Sequence, residues 1–297
     1  MFWHKKEDKT HPKGGKNMLF TGEVIRSRQN KNIVELCKLT DRKSREATGT
    51  FRFDGIKLLE ESIENDVDIC AIFLASSAQE RVLSGLRHRF GASFEEKIEK
   101  CFVVSDDIFE KISEEKSPEG VITIAKYIDK LQKNATIYNS ADFLQMKNEH
   151  IVLLESVRDP SNVGAIIRSA AAIGIDRLIL SADCADIYHP RAVRASMGTL
   201  FNQRIDRVSD LAATVAQLRE SGRRVFAAAL DERALSLGDF EILAGDAVVI
   251  GNEGHGLSEA VIAACSNSVI IPMSDRAESF NAAVAASILM WEFAKGK

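Results

Sequence analysis

The sequence predicts an α/β protein of two domains, on three observations. Beyond residue 150, short unbroken apolar runs alternate repeatedly with helical patterns. Between about 50 and 127 a smaller version of the same alternation occurs, and 297 residues at 45% hydrophobic content are more than one core usually holds. Strands that are apolar along their whole length, with helices between them, imply a parallel sheet covered on both faces.

Residues 1–17 hold five lysines, two glycines and no aliphatic residue beyond the initiator. So little apolar area does not offset the entropy of ordering, so this stretch is expected to be a disordered tail or an extension, with Met18 as the natural start. The amino-terminal domain is expected over residues 18–135, with strands at 69–74, 101–104 and 121–127 and helices at 80–90 and 106–113. Residues 130–149 mix polar side chains with weak periodicity and hold the domain boundary. The carboxyl-terminal domain, residues 136–297, is expected to carry strands at 151–154, 177–180, 225–229, 247–250 and 269–271.

Several classes are excluded. The longest apolar stretch, 280–291, falls short of the roughly 20 residues of a bilayer span, and the amino terminus is charged, so a cytoplasmic protein without a membrane partner is expected. The five cysteines (Cys37, Cys70, Cys101, Cys184, Cys265) are odd in number and never spaced C-x-x-C. They are read as reduced packing residues, and no metal site is expected. The net charge of -4 gives no whole-chain argument for nucleic acid. Locally, residues 26–52 carry eight basic against three acidic side chains and residues 95–119 four against nine. The molecule is polarised, which solvated faces also explain.

Ligands on parallel sheets sit beyond the carboxyl ends of the strands, and three loops there carry unusual residues. In the first, Asp159, Pro160, Ser161 and Asn162 form a turn with helix-capping side chains. Arg168 follows six residues after Asn162, between Ile166, Ile167 and three alanines, so its head is expected to find an anion or line a cleft. In the second, Gly251, Gly254 and Gly256 follow a buried strand. Their G-x-x-G-x-G spacing matches neither a dinucleotide fingerprint nor a phosphate-binding loop, and fits a glycine-rich turn as well as a ligand cradle. In the third, Ile271, Pro272 and Met273 end a strand, and after a polar crossing Ser279 or Asn281 opens an alanine-rich helix.

In this order the three segments resemble the three successive motifs of the SpoU/TrmH RNA 2′-O-ribose methyltransferases: Asn162 with Gly164 and Arg168; Gly251, Asn252, Glu253 and Gly254 with Gly256, Leu257 and Ser258; then Ile271, Pro272 and Met273 followed by Ser279, Phe280 and Asn281. Residues 189–205 are similar to the segment between the first two. Residues 45–59 resemble, more loosely, the small L30e-like substrate-binding domain that precedes many such catalytic domains. The resemblance implies a Rossmann-like domain tied in a deep trefoil knot, S-adenosylmethionine bound in the knot, and a homodimer with its active site near the subunit boundary. It implies a cofactor lying against Gly251, Ile271, Met273, Ser279 and Phe280, and a catalytic set of Arg168, Asn162, Glu253, Ser279 and Asn281. Asp275 stands where a glycine is common and Phe280 where leucine is usual.

A guanidinium stays protonated in ordinary surroundings, so Arg168 is expected to hold an RNA phosphate and stabilise alkoxide charge rather than act as a base, with Asn162 orienting it. His255, between two glycines, is read as an exposed loop residue. Given this resemblance, the basic run at 26–52 is expected to touch RNA phosphates through Arg42, Lys43, Arg45 and Arg52. Ribosomal RNA is the expected substrate and transfer RNA the alternative. An RNA-binding scaffold without transfer chemistry is the rival reading, with Asp275 and Phe280 as its only support.

Overall fold

The structure is a computed structural model that describes residues 18–128, 137–231, 234–252, 254–276 and 279–295. The expected tail and the boundary at 135/136 lie outside these residues. In the first domain β1 (Leu19–Ile25), α1 (Lys31–Lys38), α2 (Arg42–Thr48), β2 (Thr50–Asp54), α3 (Ile56–Glu64) and β3 (Ile69–Ala75) are followed by α4 (Gln79–Phe90), β4 (Lys100–Val104), α5 (Asp106–Ile112) and β5 (Val121–Lys126). Its sheet has the order β1-β4-β3-β5-β2 and is mixed, because β5 runs antiparallel to both of its neighbours.

The second domain contains α6 (Ser140–Gln145), β6 (Ile151–Leu154), α7 (Pro160–Ile173), β7 (Arg177–Ser181), α8 (Pro190–Ser196), β8 (Arg204–Val208), α9 (Leu211–Glu220) and β9 (Val225–Ala228). Then come β10 (Leu235–Ser236), β11 (Ala247–Ile250), α10 (Glu259–Ala264), β12 (Asn267–Ile270) and α11 (Ala282–Ala294). All seven strands are parallel, in the order β10-β12-β9-β11-β6-β7-β8. Every residue of β6 and of β11 is buried, as a centrally placed parallel strand requires. All five strands expected in this domain are present. The two that periodicity missed, β8 and β10, lie at the sheet edges.

The domains share one core. Phe51 and Phe53 of β2 pack with Tyr188, Phe201 and Val193 of the second domain, and Tyr127 stacks on Tyr188 with ring centroids 4.1 Å apart. The Tyr188 hydroxyl also accepts the Ile128 backbone N–H at 2.9 Å.

This junction corrects two of the expected phosphate contacts. Arg45 is 1% exposed; its guanidinium donates to Asp186 at 2.8 Å and to the Leu39 and Thr40 carbonyls. Arg52 is equally buried and donates to Asp54 and to the Ile112 carbonyl. A guanidinium buried in the core and held by an internal carboxylate does not reach solvent-side RNA, so both side chains hold the fold. Arg42 and Lys43 are exposed, with Arg42 paired to Glu46 at 2.7 Å.

Candidate functional site

At the carboxyl ends of β6, β11 and β12 the three loops lock into one another. Glu155, the residue after β6, donates its backbone N–H to the Ile250 carbonyl, and its carboxylate accepts from Ser258 N at 2.8 Å and Ser258 Oγ at 2.7 Å. Ser156 takes a left-handed conformation, φ 55°. Its N–H donates to Ser181 Oγ at 2.9 Å, its hydroxyl to Asp183, and its carbonyl accepts from Asn252 Nδ2 at 2.8 Å. Burial pushes the Asp183 carboxyl up, but hydrogen bonds from Ser156, Ser181 and Arg158 outweigh that and hold it below its ordinary value.

The glycines of the second loop serve its closure. Asn252 and Gly256 exchange backbone hydrogen bonds at 3.1 and 2.9 Å, and Asn252 Oδ1 accepts the Gly254 N–H at 2.8 Å. A Cβ on Gly251 would lie 2.5 Å from the Gly256 oxygen and 2.7 Å from the Leu257 nitrogen, so only glycine lets the loop fold back on the strand end. Gly164 is a packing residue too: a Cβ there would stand 2.8 Å from Ala195 Cβ, and its absence lets α7 approach α8 closely.

Asn281 is the N-cap of α11. Its Oδ1 accepts the N–H groups of Ala283 and Val284, while its Nδ2 donates to Asn162 Oδ1 at 3.0 Å. One further hydrogen bond, Ser287 Oγ to Ser169 Oγ at 2.8 Å, ties the same two helices lower down, so α7 and α11 lie side by side and run in the same direction.

Between the loops after β9, β11 and β12 and the start of α11 lies a cavity of about 450 Å³. Gly251, Ile271, Met273, Ser279 and Phe280, the five residues expected to meet a cofactor, all line it. Its walls are strand ends and chiefly small or apolar side chains, with Asn252 and His255 among them, and its size is that of a small-molecule site. A nucleoside cofactor fits this lining, with main chain of the folded-back β11 loop for its polar edges and the aliphatic side chains for its flat face. Phe280 and Met273 are partly exposed.

Arg168 departs from expectation. Its neighbours Ile166, Ile167 and Ala170 are buried, but Arg168 itself is on the exposed face of α7, and among the described residues no hydrogen-bond or ion-pair partner holds its head. Six residues along a helix turn a side chain roughly 120° away from Asn162, so the two point to different sides of α7. Glu253 lies outside the described residues. The clamp between Glu155 and Ser258 escaped sequence reasoning; the one signal for it was an acidic residue directly after a wholly apolar strand. Among the described residues no three His, Cys, Asp or Glu side chains group as metal ligands, and no helix is long and apolar enough to cross a membrane.

Comparison with known proteins places this geometry. The SpoU rRNA methylase family profile matches residues 149–291, and an MRM3-like substrate-binding domain matches residues 30–123. The chain is 27% identical over 267 residues to the 23S rRNA (guanosine(2553)-2′-O)-methyltransferase RlmP of Bacillus subtilis, covering 90% of this chain and 97% of that one. It is 37% identical over 145 residues to the 23S rRNA (uridine(2479)-2′-O)-methyltransferase of Streptomyces viridochromogenes, 48% of this chain and 50% of that one. The AdoMet-bound rRNA methyltransferase of Sinorhizobium meliloti superposes with a TM-score of 0.74 at 25% identity, over 92% of this chain and 97% of that one. The carboxyl-terminal domain therefore belongs to the SpoU/TrmH family, and the chain is an RNA methyltransferase whose methyl donor is S-adenosylmethionine.

Proposed function

We propose that this enzyme methylates a ribose 2′-hydroxyl of structured ribosomal RNA, in the cytoplasm and as a homodimer. One observation carries the reading: Gly251, Ile271, Met273, Ser279 and Phe280 converge on one cavity, and the residue that follows them, Asn281, is hydrogen-bonded to Asn162. The two relatives matched over 267 and 145 residues are both named as 2′-O-methyltransferases of 23S rRNA, which supports the ribose and the ribosomal substrate over transfer RNA. The partly exposed Phe280 sits in the cavity lining without filling it, so the scaffold reading finds no support there.

S-adenosylmethionine supplies a methyl group already activated on a sulfonium, so the chain has chiefly to align an alcohol and raise its nucleophilicity. Asn281, fixed by capping α11, orients Asn162 on α7. Arg168, exposed and free of internal partners among the described residues, is the forked donor for the phosphate beside the target ribose and for the developing alkoxide. Glu253 and Ser279 complete the set. Arg42 and Lys43 remain phosphate contacts in this reading.

The homodimer is supported by α11, which leaves Val284 and, two turns on, Trp291 at 46% and 57% exposure on one side, an apolar strip a second copy would cover. A trefoil knot is supported by the path of the chain, since α11 returns to pack on α7 after the strand order has crossed from β6 out to β12. Mapping 2′-O-methyl positions in ribosomal RNA from cells with and without the protein tests the proposal. One position should lose its methyl group; an unchanged ribosomal map with a lost transfer-RNA methyl would reassign the substrate.

A further inference from the structure

Met197 is left over by the cavity and by the domain junction. It is the left-handed cap of α8, φ 51° and ψ 34°, and the residue is 43% exposed. Glycine would adopt that conformation without steric cost, and a polar residue would suit that exposure better. The turn is held from every side. The Met197 N–H donates to Arg194 O at 3.1 Å, Ser196 Oγ to Val193 O at 2.7 Å and Thr199 Oγ1 to Ser196 O at 2.7 Å. A Cβ on Gly198 would lie 2.7 Å from Glu61 Cβ of the first domain. A long apolar side chain is thus fixed in solvent at a strained position, and such outliers point to function.

The surroundings indicate what it meets. Helices α7 and α8 each return from the carboxyl end of one parallel strand to the start of the next, so they run parallel, and Gly164 on Ala195 sets their register. Arg168 lies one turn beyond Gly164 and Met197 two residues beyond Ala195, so both flank the same end of the α7/α8 groove. Arg191, in the first turn of α8, is exposed, and among the described residues no acidic partner holds its guanidinium. By helical rise it stands about 10 Å up the groove from Arg168. Arg194, also exposed, makes a single long contact of 3.4 Å to the Glu114 carbonyl.

We infer that the outer face of the α7/α8 groove is where the RNA strand next to the target nucleotide lies, with Arg191 and Arg168 holding successive stretches of its backbone and Met197 packed against an unstacked base. This inference rests on the RNA-methylation reading above. The occupant is a single-stranded loop or bulge, because cations without internal acidic partners call for a polyanion and an apolar side chain held between them calls for an exposed base face.

The test uses the full chain, with ribosomal RNA transcribed in vitro as the probe, and variants Met197→Gly, Met197→Ala and Arg191→Ala. For each, RNA affinity by filter retention, methyl transfer, S-adenosylmethionine affinity, melting temperature and oligomeric state are measured. Met197→Gly should keep or raise the melting temperature, because it removes the backbone strain, while RNA affinity falls about fivefold or more. Arg191→Ala should weaken RNA affinity uniformly across sequences and lower the salt slope by about one. S-adenosylmethionine affinity should not change in any of them. Unchanged RNA affinity in Met197→Gly overturns the inference. A shift toward monomer in that variant, with RNA affinity intact, would assign the face to a second copy instead. Should the parent chain retain this RNA but transfer no methyl group, the methylation reading fails on its own, and the retention data still decide the groove.

Discussion

Arg168 lies between apolar neighbours in sequence and Arg45 in a basic run, and the fold uses each against what its neighbours suggest. Arg168 stands on the exposed face of α7 without an acidic partner among the described residues. Replacing it by alanine or lysine should lower single-turnover methylation by about 10²-fold or more while S-adenosylmethionine binding changes less than about twofold, because an ammonium does not reproduce a forked donor. Full-rate transfer by the lysine variant would remove it from the catalytic set. Arg45 is a structural ion, 141 residues from its partner Asp186 in sequence. Arg45→Ala leaves a half-buried carboxylate without its cation and should cost about 3–5 kcal/mol of stability in denaturant titration. Sequence reading placed Arg45 and Arg52 with Arg42 and Lys43 because charge counts do not see burial. The residue that neutralises Arg45 comes from another domain, and no local pattern announces it.

At the scale of elements, the strand ends are what the sequence exposed best. The motif glycines were found where they stand, but their work is internal: Gly251 and Gly256 fold the β11 loop on itself, and Gly164 brings α7 against α8. The strands β6 and β11 were legible because each is apolar throughout. The strand β8 was not, because three of its five residues are charged, and Asp206 is buried only through its bonds to Tyr138 and Arg177.

The link from α11 to α7 separates two roles of Asn281. Asn281→Ala should lower the melting temperature, since losing an N-cap costs about 1 kcal/mol. Asn281→Asp keeps the capping oxygen but not the Nδ2 donor to Asn162. It should therefore melt close to the parent and still lose most of its transfer rate. Equal rates in the aspartate variant and the parent would show that the Asn162 contact is dispensable.

Across the whole molecule, the shared core of Phe51, Phe53, Tyr127, Tyr188 and Phe201 fixes the substrate-binding domain on the methyltransferase domain. Two domains were visible from composition and alternation, yet their union was not, since it depends on aromatic residues far apart in the chain. The exposed strip on α11 makes a prediction at this scale: Trp291→Glu should shift the protein toward monomer in analytical ultracentrifugation and lower transfer in parallel. A monomeric parent chain would leave that strip without its proposed partner.

The most direct trial is to incubate the enzyme with unmodified ribosomal RNA and S-adenosylmethionine labelled in its methyl group, digest the RNA to nucleosides and identify the labelled product by mass spectrometry. A 2′-O-methylnucleoside, absent when Arg168→Ala is used, is the predicted result. Label on a base, or undiminished ribose label from the Arg168 variant, would contradict the account.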